Sequence, residues 1–559
     1  MESQRNIILI AFLVVCFLLW QQWNIDHAPK PPQQTTTQSQ SAASKTESAS
    51  GADAASQINV AGKHAAAKLI TVTTDLYQLK INTYGGDIVS AKLNKIAKTI
   101  NSDTPYQLLK DRKGDVYVAQ SGLLGTGGTD NASGRAVYTS TKQEYTLAPG
   151  QKELIVPLTY TNAAGVTYTK EFVFKRDQYV VGVDYKVANK SAQPINVQFY
   201  GQVKESIDPQ VPGAEKKGGI ASMASHTYEG AAYSSDSTRY KKYSFSDVKD
   251  GNLHTTTNNG WIGMINHYFA TVWVAPEAQG TNELYSRFNR SDDAAIVGYT
   301  GPQTTIAANS DATLKSEMWL GPKYQNEMAK VAPHLDLTVN YGWLWFIAQP
   351  LFKLLKLIQS FVSNWGVAII IITLIVRGLM YPLTKAQYTS MAKMRLLQPK
   401  MAALKERFGD DRQKLSKAMM EMYKKEKVNP LGGCLPLVIQ MPIFLALYWV
   451  LMGSVELRHA PFMLWIHDLS VKDPYYVLPI LMGISMFIIQ KMSPTTVTDP
   501  TQQKIMKFMP MIFTVFFLWF PAGLTLYWLV SNLVTITQQT IIFRQLEKKG
   551  LHSRDKKTK

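Results

Sequence analysis

Two hydrophobic periodicities divide the chain. Between about residues 68 and 321, short runs rich in Val, Ile, Thr, Tyr and Phe alternate apolar with polar positions and are separated by clusters of Gly, Asn, Asp or Pro. The runs over 69–74, 76–82, 153–162, 166–174, 179–187 and 195–203 therefore predict β-strands. About 250 residues of such strands suffice to bury a core of their own, so a large β-sandwich domain is expected over 68–340. From Tyr341 onward the alternation gives way to long apolar stretches. A near-neutral mean hydropathy of -0.11 averages these two unlike halves.

Residues 341–381 carry few charges. As one helix they would reach about 60 Å, twice the hydrocarbon core of a bilayer, so they must break. In 341–362, Trp343, Ile347, Leu351, Leu354, Leu355 and Ile358 recur at helical spacing, with Lys353 and Lys356 on the other side. That pattern predicts an interfacial amphipathic helix. The break is expected near 363–366, and the next span, 363–382, is expected to end at Pro382. Four further spans are expected within 431–543, over 435–455, 475–489, 508–522 and 523–543, the last two hinged at Pro521-Ala522-Gly523. At roughly 22 Å, 508–522 is shorter than a normal core and needs a thinned bilayer or sheltering neighbours.

Near the N-terminus, Arg5 precedes the apolar run 7–20. The run ends in Trp20-Gln21-Gln22-Trp23, too bulky for signal cleavage, and Val15 and Phe17 around Cys16 do not suit a lipoprotein signal. Residues 1–24 are therefore expected to be an uncleaved anchor. Residues 25–67, rich in Pro, Gln, Ser, Thr and Ala, are expected to form a flexible tether.

Charge then sets the orientation. A net charge of +18 first suggests a nucleic-acid partner, but the basic residues lie just outside the apolar runs. Loop 383–430 and tail 544–559 are rich in Lys and Arg, whereas the intervening outer loop over 456–474 has only Arg458 and Lys472. The positive-inside rule is met by six spans with both termini cytoplasmic and the β-domain on the outer side. The two cysteines, Cys16 and Cys434, provide no disulfide framework, and the nine histidines lack zinc-site spacing, so no metal or cofactor is expected. His226, His254 and His267 in the β-domain read as scattered surface residues rather than an active site.

Arg377 is the sharpest chemical signal, because an arginine within a span costs several kcal/mol unless it is hydrated or paired. Position alone leaves it equally able to snorkel to the headgroups. Other spans shift the balance. Thr373 lies one turn earlier on the same face. The last span carries Trp528, Asn532, Thr535 and Gln539 as a polar stripe, with Ser531 and Gln538 beside it, and Gln440 lies early in another span. With no Asp or Glu in any span, this set predicts a hydrated cavity on the cytoplasmic side. Such a cavity shortens the apolar distance that a polar segment must cross, and a fixed positive charge attracts acidic stretches. Loop 383–430 is expected to be a helical hairpin, 385–408 and 412–428, joined by Gly409-Asp410-Asp411. Met391, Met394, Met401, Met419, Met420 and Met422 concentrate there. They serve either to pack the hairpin or to offer an adaptable surface for apolar clients, and the sequence leaves both open.

Val376-Arg377-Gly378-Leu379-Met380-Tyr381-Pro382-Leu383-Thr384 resembles the signature of the YidC family of membrane insertases. Asn429-Pro430-Leu431-Gly432-Gly433-Cys434, Gln440-Met441-Pro442-Ile443-Phe444 and Ser493-Pro494-Thr495 resemble it too. The likeness covers the whole chain and is most specific over 341–554. It implies a polytopic α-helical inner-membrane protein, with a five-helix core, a groove open to cytoplasm and lipid, and a periplasmic β-supersandwich. Its groove arginine falls on Arg377 with Thr373 beside it. Its client contacts fall on Met441, Phe444 and Tyr527-Trp528, where the family pattern expects Tyr-Tyr. The implied partners are nascent membrane proteins, the Sec translocon, the ribosome and the signal-recognition receptor. Met391, Met394, Met419, Met420, Lys548 and Lys549 are the candidate cytoplasmic contacts with client or ribosome. The implied function is non-enzymatic insertion and folding of membrane proteins, without a small-molecule substrate. The alternative is a scaffold that assembles the Sec translocon without inserting clients itself.

Overall fold

The computed structural model describes residues 67–100, 102–131, 134–209, 228–277, 280–409, 411–426, 435–492 and 500–548. The anchor expected over 1–24, the tether up to residue 66, His226, the 429–434 and 493–495 motifs and the tail from Lys549 lie outside the described residues.

Two large sheets build most of the β-domain, beside a two-stranded pair of Asp130–Asn131 with Gly134–Arg135. The larger opens with neighbouring strands Glu144–Thr146, Leu69–Thr73, Tyr77–Asn82, Asp87–Ala97, Pro105–Arg112 and Asp115–Leu124. It continues through Ile195–Ser206, Ala294–Thr300 and Asn282–Asn289 to His254–Thr257. The second sheet has eight strands, ordered Thr238–Tyr243, Gly230–Ser235, Gly260–Ile265, Phe269–Ala275, Ser310–Pro322, Val180–Asn189, Val166–Lys175 and Glu153–Thr161. Strand Val166–Lys175 shows how pattern becomes structure, since Val166, Tyr168, Lys170, Phe172 and Phe174 are all buried. All six expected strands are present with small shifts at their ends. Gly260–Ile265 and Ala294–Thr300 are buried at every position and so carry no alternation to read.

Aromatic residues with polar tips tie the sheets together. The Tyr117 hydroxyl donates to Thr271 Oγ1 at 2.9 Å, Trp273 Nε1 to the Gln202 carbonyl at 3.0 Å, and the Tyr299 hydroxyl to Ser316 Oγ at 2.6 Å. Gly201 leaves room for Trp273, because a Cβ there would lie 2.6 Å from the indole. Lys170 crosses the sandwich and donates to the carbonyls of Gly85, Gly86 and Ser121 at 3.0, 2.7 and 2.9 Å. His254 pairs with Glu283 at 3.1 Å, and His267 contacts the Met452 carbonyl at 2.9 Å, so the two serve separate contacts. Burial pushes the His267 imidazole down to about 4, leaving it neutral at pH 7.

The helical region starts with the amphipathic helix Trp345–Val362. Its buried residues are Ala348, Phe352, Leu355 and Ile358; Leu355 and Ile358 of the expected stripe are thus buried, and Ile347, Leu351 and Leu354 pack partly buried against the same core. Trp343, Trp345, Phe346, Leu357 and Phe361 stay exposed, giving this segment a second apolar surface. The expected break is sharp. Ser363 adopts φ 53°, and Asn364 accepts from Val367 N at 3.0 Å while donating to the Phe462 carbonyl at 2.9 Å.

Pro382 does not end the next helix, contrary to the sequence expectation. Trp365–Leu379 stops first, and Tyr381–Leu396 begins with Pro382 in its opening turn, where a missing N–H costs little. The bend between them is 59°. The first hairpin arm is also broken, into Tyr381–Leu396 and Gln398–Phe408, with Pro399 in the first turn of the second piece. Arg412–Lys425 returns, and its N-cap Asp411 accepts from Lys414 N at 3.0 Å. Helices Leu435–Gly453, Val477–Met492, Pro500–Phe517 and Ala522–Lys548 complete the chain. Among the described residues no single helix is both long and apolar enough to cross a bilayer, whereas the bent pair Trp365–Leu379 with Tyr381–Met394 is.

Candidate functional site

The site forms where Trp365–Leu379 packs beside Ala522–Lys548, with Leu435–Gly453 on another side. Arg377 projects from the first helix and meets Ser531 on the last. Its Nε donates to Ser531 Oγ at 2.7 Å, and its Nη2 also donates to that hydroxyl. A third, long contact runs from Nη1 to Gln440 Oε1 at 3.5 Å. Gln538 Nε2 donates to the Arg377 carbonyl at 3.0 Å and fixes the backbone from which the side chain springs. Among the described residues Arg377 makes no ion pair, so its partners are neutral and its charge is not cancelled locally.

The polar residues of the last helix divide between two neighbours. Ser531, Thr535 and Gln538 recur at i, i+4 and i+7, so they share the face that meets Arg377. Thr535 Oγ1 donates back to the Ser531 carbonyl at 2.8 Å. Asn532 turns instead to Val477–Met492, where its Nδ2 donates to Ser485 Oγ at 2.9 Å. Of the stripe through Trp528, Asn532, Thr535 and Gln539, Thr535 thus shares the face of Ser531, whereas Asn532 faces Val477–Met492. Ser531 is the main partner of Arg377, and its spacing to Thr535 and Gln538 was the available signal. Thr373 is fully buried, and its hydroxyl donates to the Ile369 carbonyl at 2.6 Å one turn back.

An aromatic cluster lines the same helices one turn toward the other end. Phe444 meets Trp528 edge-on at 4.5 Å and stacks on Tyr527 at 6.1 Å. Phe517 and Phe513 contact the Trp528 ring at 4.9 and 6.0 Å. Trp528 at the second aromatic position therefore bridges three helices. Met441 is 47% exposed beside this cluster, a flexible apolar side chain open to the surroundings.

The hairpin methionines serve unequal contacts. Met391 packs against Tyr388, Ala392, Ile542, Phe543 and Leu546, and Tyr423 donates to Met401 Sδ at 3.6 Å. Met394 and Met419 are half-buried, Met420 is exposed, and Lys548 is exposed at the end of the last helix. Lys549 lies outside the described residues.

Two family models cover nearly all of the described chain. Residues 69–354 match the YidC periplasmic domain, and residues 357–549 match the 60Kd inner membrane protein. The chain belongs to the YidC family. A curated relative from Aeromonas hydrophila, named membrane protein insertase YidC, is 60% identical over 99% of this chain and all of its own length. Relatives of the same name from Tolumonas auensis and Haemophilus influenzae are 57% and 54% identical, each with full coverage of both chains. A solved YidC insertase structure aligns over 86% of this chain and 93% of its own, with 19% identity and a TM-score of 0.36. The two-sheet domain and the helical region thus correspond to the two halves that the YidC family models describe.

Proposed function

We propose that this chain is a membrane protein insertase that passes apolar segments of nascent proteins into the bilayer through a groove on the cytoplasmic side, centred on Arg377. The observation that carries the groove is the set of partners of Arg377. Among the described residues the guanidinium is held by the neutral side chains of Ser531 and Gln440, and so keeps its full charge. In dry hydrocarbon that charge costs several kcal/mol, a cost that water reaching it relieves. A wet pocket in the inner leaflet lets a hydrophilic stretch cross only part of the bilayer, and the charge draws acidic stretches in. An apolar segment then leaves past Met441, Phe444 and Trp528 into lipid, driven by burial at about 25 cal/mol per Å². Transfer of this kind requires positioning and partition, not bond making, so the protein acts without enzymatic chemistry.

The accompanying topology is six spans in the bacterial inner membrane with both termini cytoplasmic and the β-domain in the periplasm. Short helices such as Val477–Met492 fit this arrangement if the bilayer thins around them. Exposed Met420 and Lys548 are the described positions suited to clients and to acidic or ribosomal surfaces. The Sec translocon, the ribosome and the signal-recognition receptor are proposed as partners on the family likeness. Reconstitution separates an insertase from a translocon scaffold. Purified protein in liposomes should insert a two-span client with no other factor present, and failure to insert would leave the scaffold role.

A further inference from the structure

Arg377 uses its five N–H groups unevenly. Nε and Nη2 share one acceptor, Ser531 Oγ, which occupies the side edge of the guanidinium. Gln440 lies at the limit of hydrogen-bond reach from Nη1. Among the described residues the end-on pair of N–H groups on Nη1 and Nη2 has only that long contact to Gln440, and it is the fork that matches a carboxylate. A hydroxyl accepts two bonds yet carries no charge, so it orients the fork without neutralising it. Gln538 secures the same turn of backbone through the Arg377 carbonyl.

We propose that Ser531 is a positioning residue that clamps the side edge of Arg377 and presents its end-on edge to carboxylates of the incoming segment. The proposal rests on the insertase reading and deepens it, because the clamp makes the groove selective for acidic clients. A longer acceptor with a charge would pair with the arginine and cancel the attraction. An alanine would release the guanidinium to snorkel toward the headgroups.

The test uses full-length protein in proteoliposomes and two versions of one client, with Asp or with Asn in its translocated stretch. The ratio of Asp-client to Asn-client insertion should be the same in wild type and Ser531→Thr. It should fall about tenfold in Ser531→Asp and in Ser531→Ala, the loss of one charge-assisted hydrogen bond. An unchanged ratio in Ser531→Asp, or an equal fall in Ser531→Thr and Ser531→Ala, overturns the proposal. A second measurement is independent of insertion. In 15N-arginine-labelled protein in nanodiscs, the Arg377 Nε–H should exchange slowly in wild type and Ser531→Thr and quickly in Ser531→Ala. Equal exchange in all three overturns the clamp, whereas wild type that inserts neither client while keeping a slow Nε–H overturns the insertase reading alone.

Discussion

Lys170→Met tests how the β-domain manages a buried charge. Lys170 is fully buried, and its three carbonyl acceptors are Ser121 on the opposite sheet and Gly85 and Gly86 in the turn before strand Asp87–Ala97. Gly85 and Ser121 have a second donor in Arg135 Nη2, at 3.4 and 3.1 Å, whereas the Gly86 carbonyl relies on Lys170. Methionine fills much the same volume, so the main loss is one orphaned carbonyl, about 1–3 kcal/mol. Burial pushes the Lys170 ammonium down to about 7, with Asp87 opposing the fall and Arg135 adding to it. The sign follows directly. Between pH 7 and the ordinary lysine range the unfolded chain binds more protons than the folded one, so stability rises with pH. Below pH 7 both states are protonated and the burial penalty is felt in full. Lys323, also pushed down to about 7, adds a parallel slope. Each lysine contributes at most about 1.4 kcal/mol per pH unit. Hydrogen exchange of amides in Val166–Lys175, followed in full-length protein from pH 7 to 9 with the intrinsic exchange rate divided out, reads the local stability. Wild type should gain protection as pH rises, and Lys170→Met, which has no ammonium to deprotonate at this position, should gain less. Equal slopes in both proteins would refute the reasoning and show that the three carbonyls hold the ammonium at its ordinary value.

Three other substitutions probe other parts of the chain. Arg458 donates to the carbonyls of Ala97 and Lys98 at 2.9 and 3.0 Å and lies 5.3 Å from the Tyr106 ring, so it latches the segment after helix Leu435–Gly453 to the β-domain. Arg458→Ala should cost that contact about 2 kcal/mol, seen as faster amide exchange in 454–470 with the strand core unchanged. At Gly483 a Cβ would lie 1.9 Å from Thr514 Oγ1 and 3.1 Å from its Cβ, and Thr514 is held by its bond to the Pro510 carbonyl at 2.7 Å. Gly483→Val should therefore lower stability in detergent by about 1–3 kcal/mol, whereas Ile484→Val on the exposed face should be near neutral. Arg377→Ala should impair insertion of clients with acidic translocated stretches more than that of purely apolar clients, and equal impairment would remove charge attraction from the mechanism.

Much of this architecture was legible along the chain. Alternation in Val166–Lys175 or Tyr77–Asn82 marks a strand with one buried face, and such strands were found. Gly260–Ile265, buried on both faces, carries no such mark. Asn364 as a cap and Ser363 as a break follow from local chemistry and are present. Pro382 misled, because a proline opens a helix as readily as it closes one, and Pro399 likewise opens the second piece of an arm expected to be one helix. Arg377 stood out because its cost in an apolar run is independent of its neighbours. Its partner did not, since Ser531 and Asn532 are adjacent in sequence and differ only in which helix each faces. That difference is tertiary, set by Ser485 on one side and Arg377 on the other.

In the proposed groove Arg377 should sit in water within the inner leaflet. Nitroxide labels at positions 440 and 535, flanking the arginine, and at exposed Leu374 as a lipid-facing control, measure this in liposomes. The account predicts that a water-soluble nickel chelate relaxes the labels at 440 and 535 strongly and the label at 374 weakly, with oxygen showing the reverse. Oxygen-dominated relaxation at all three positions would contradict it.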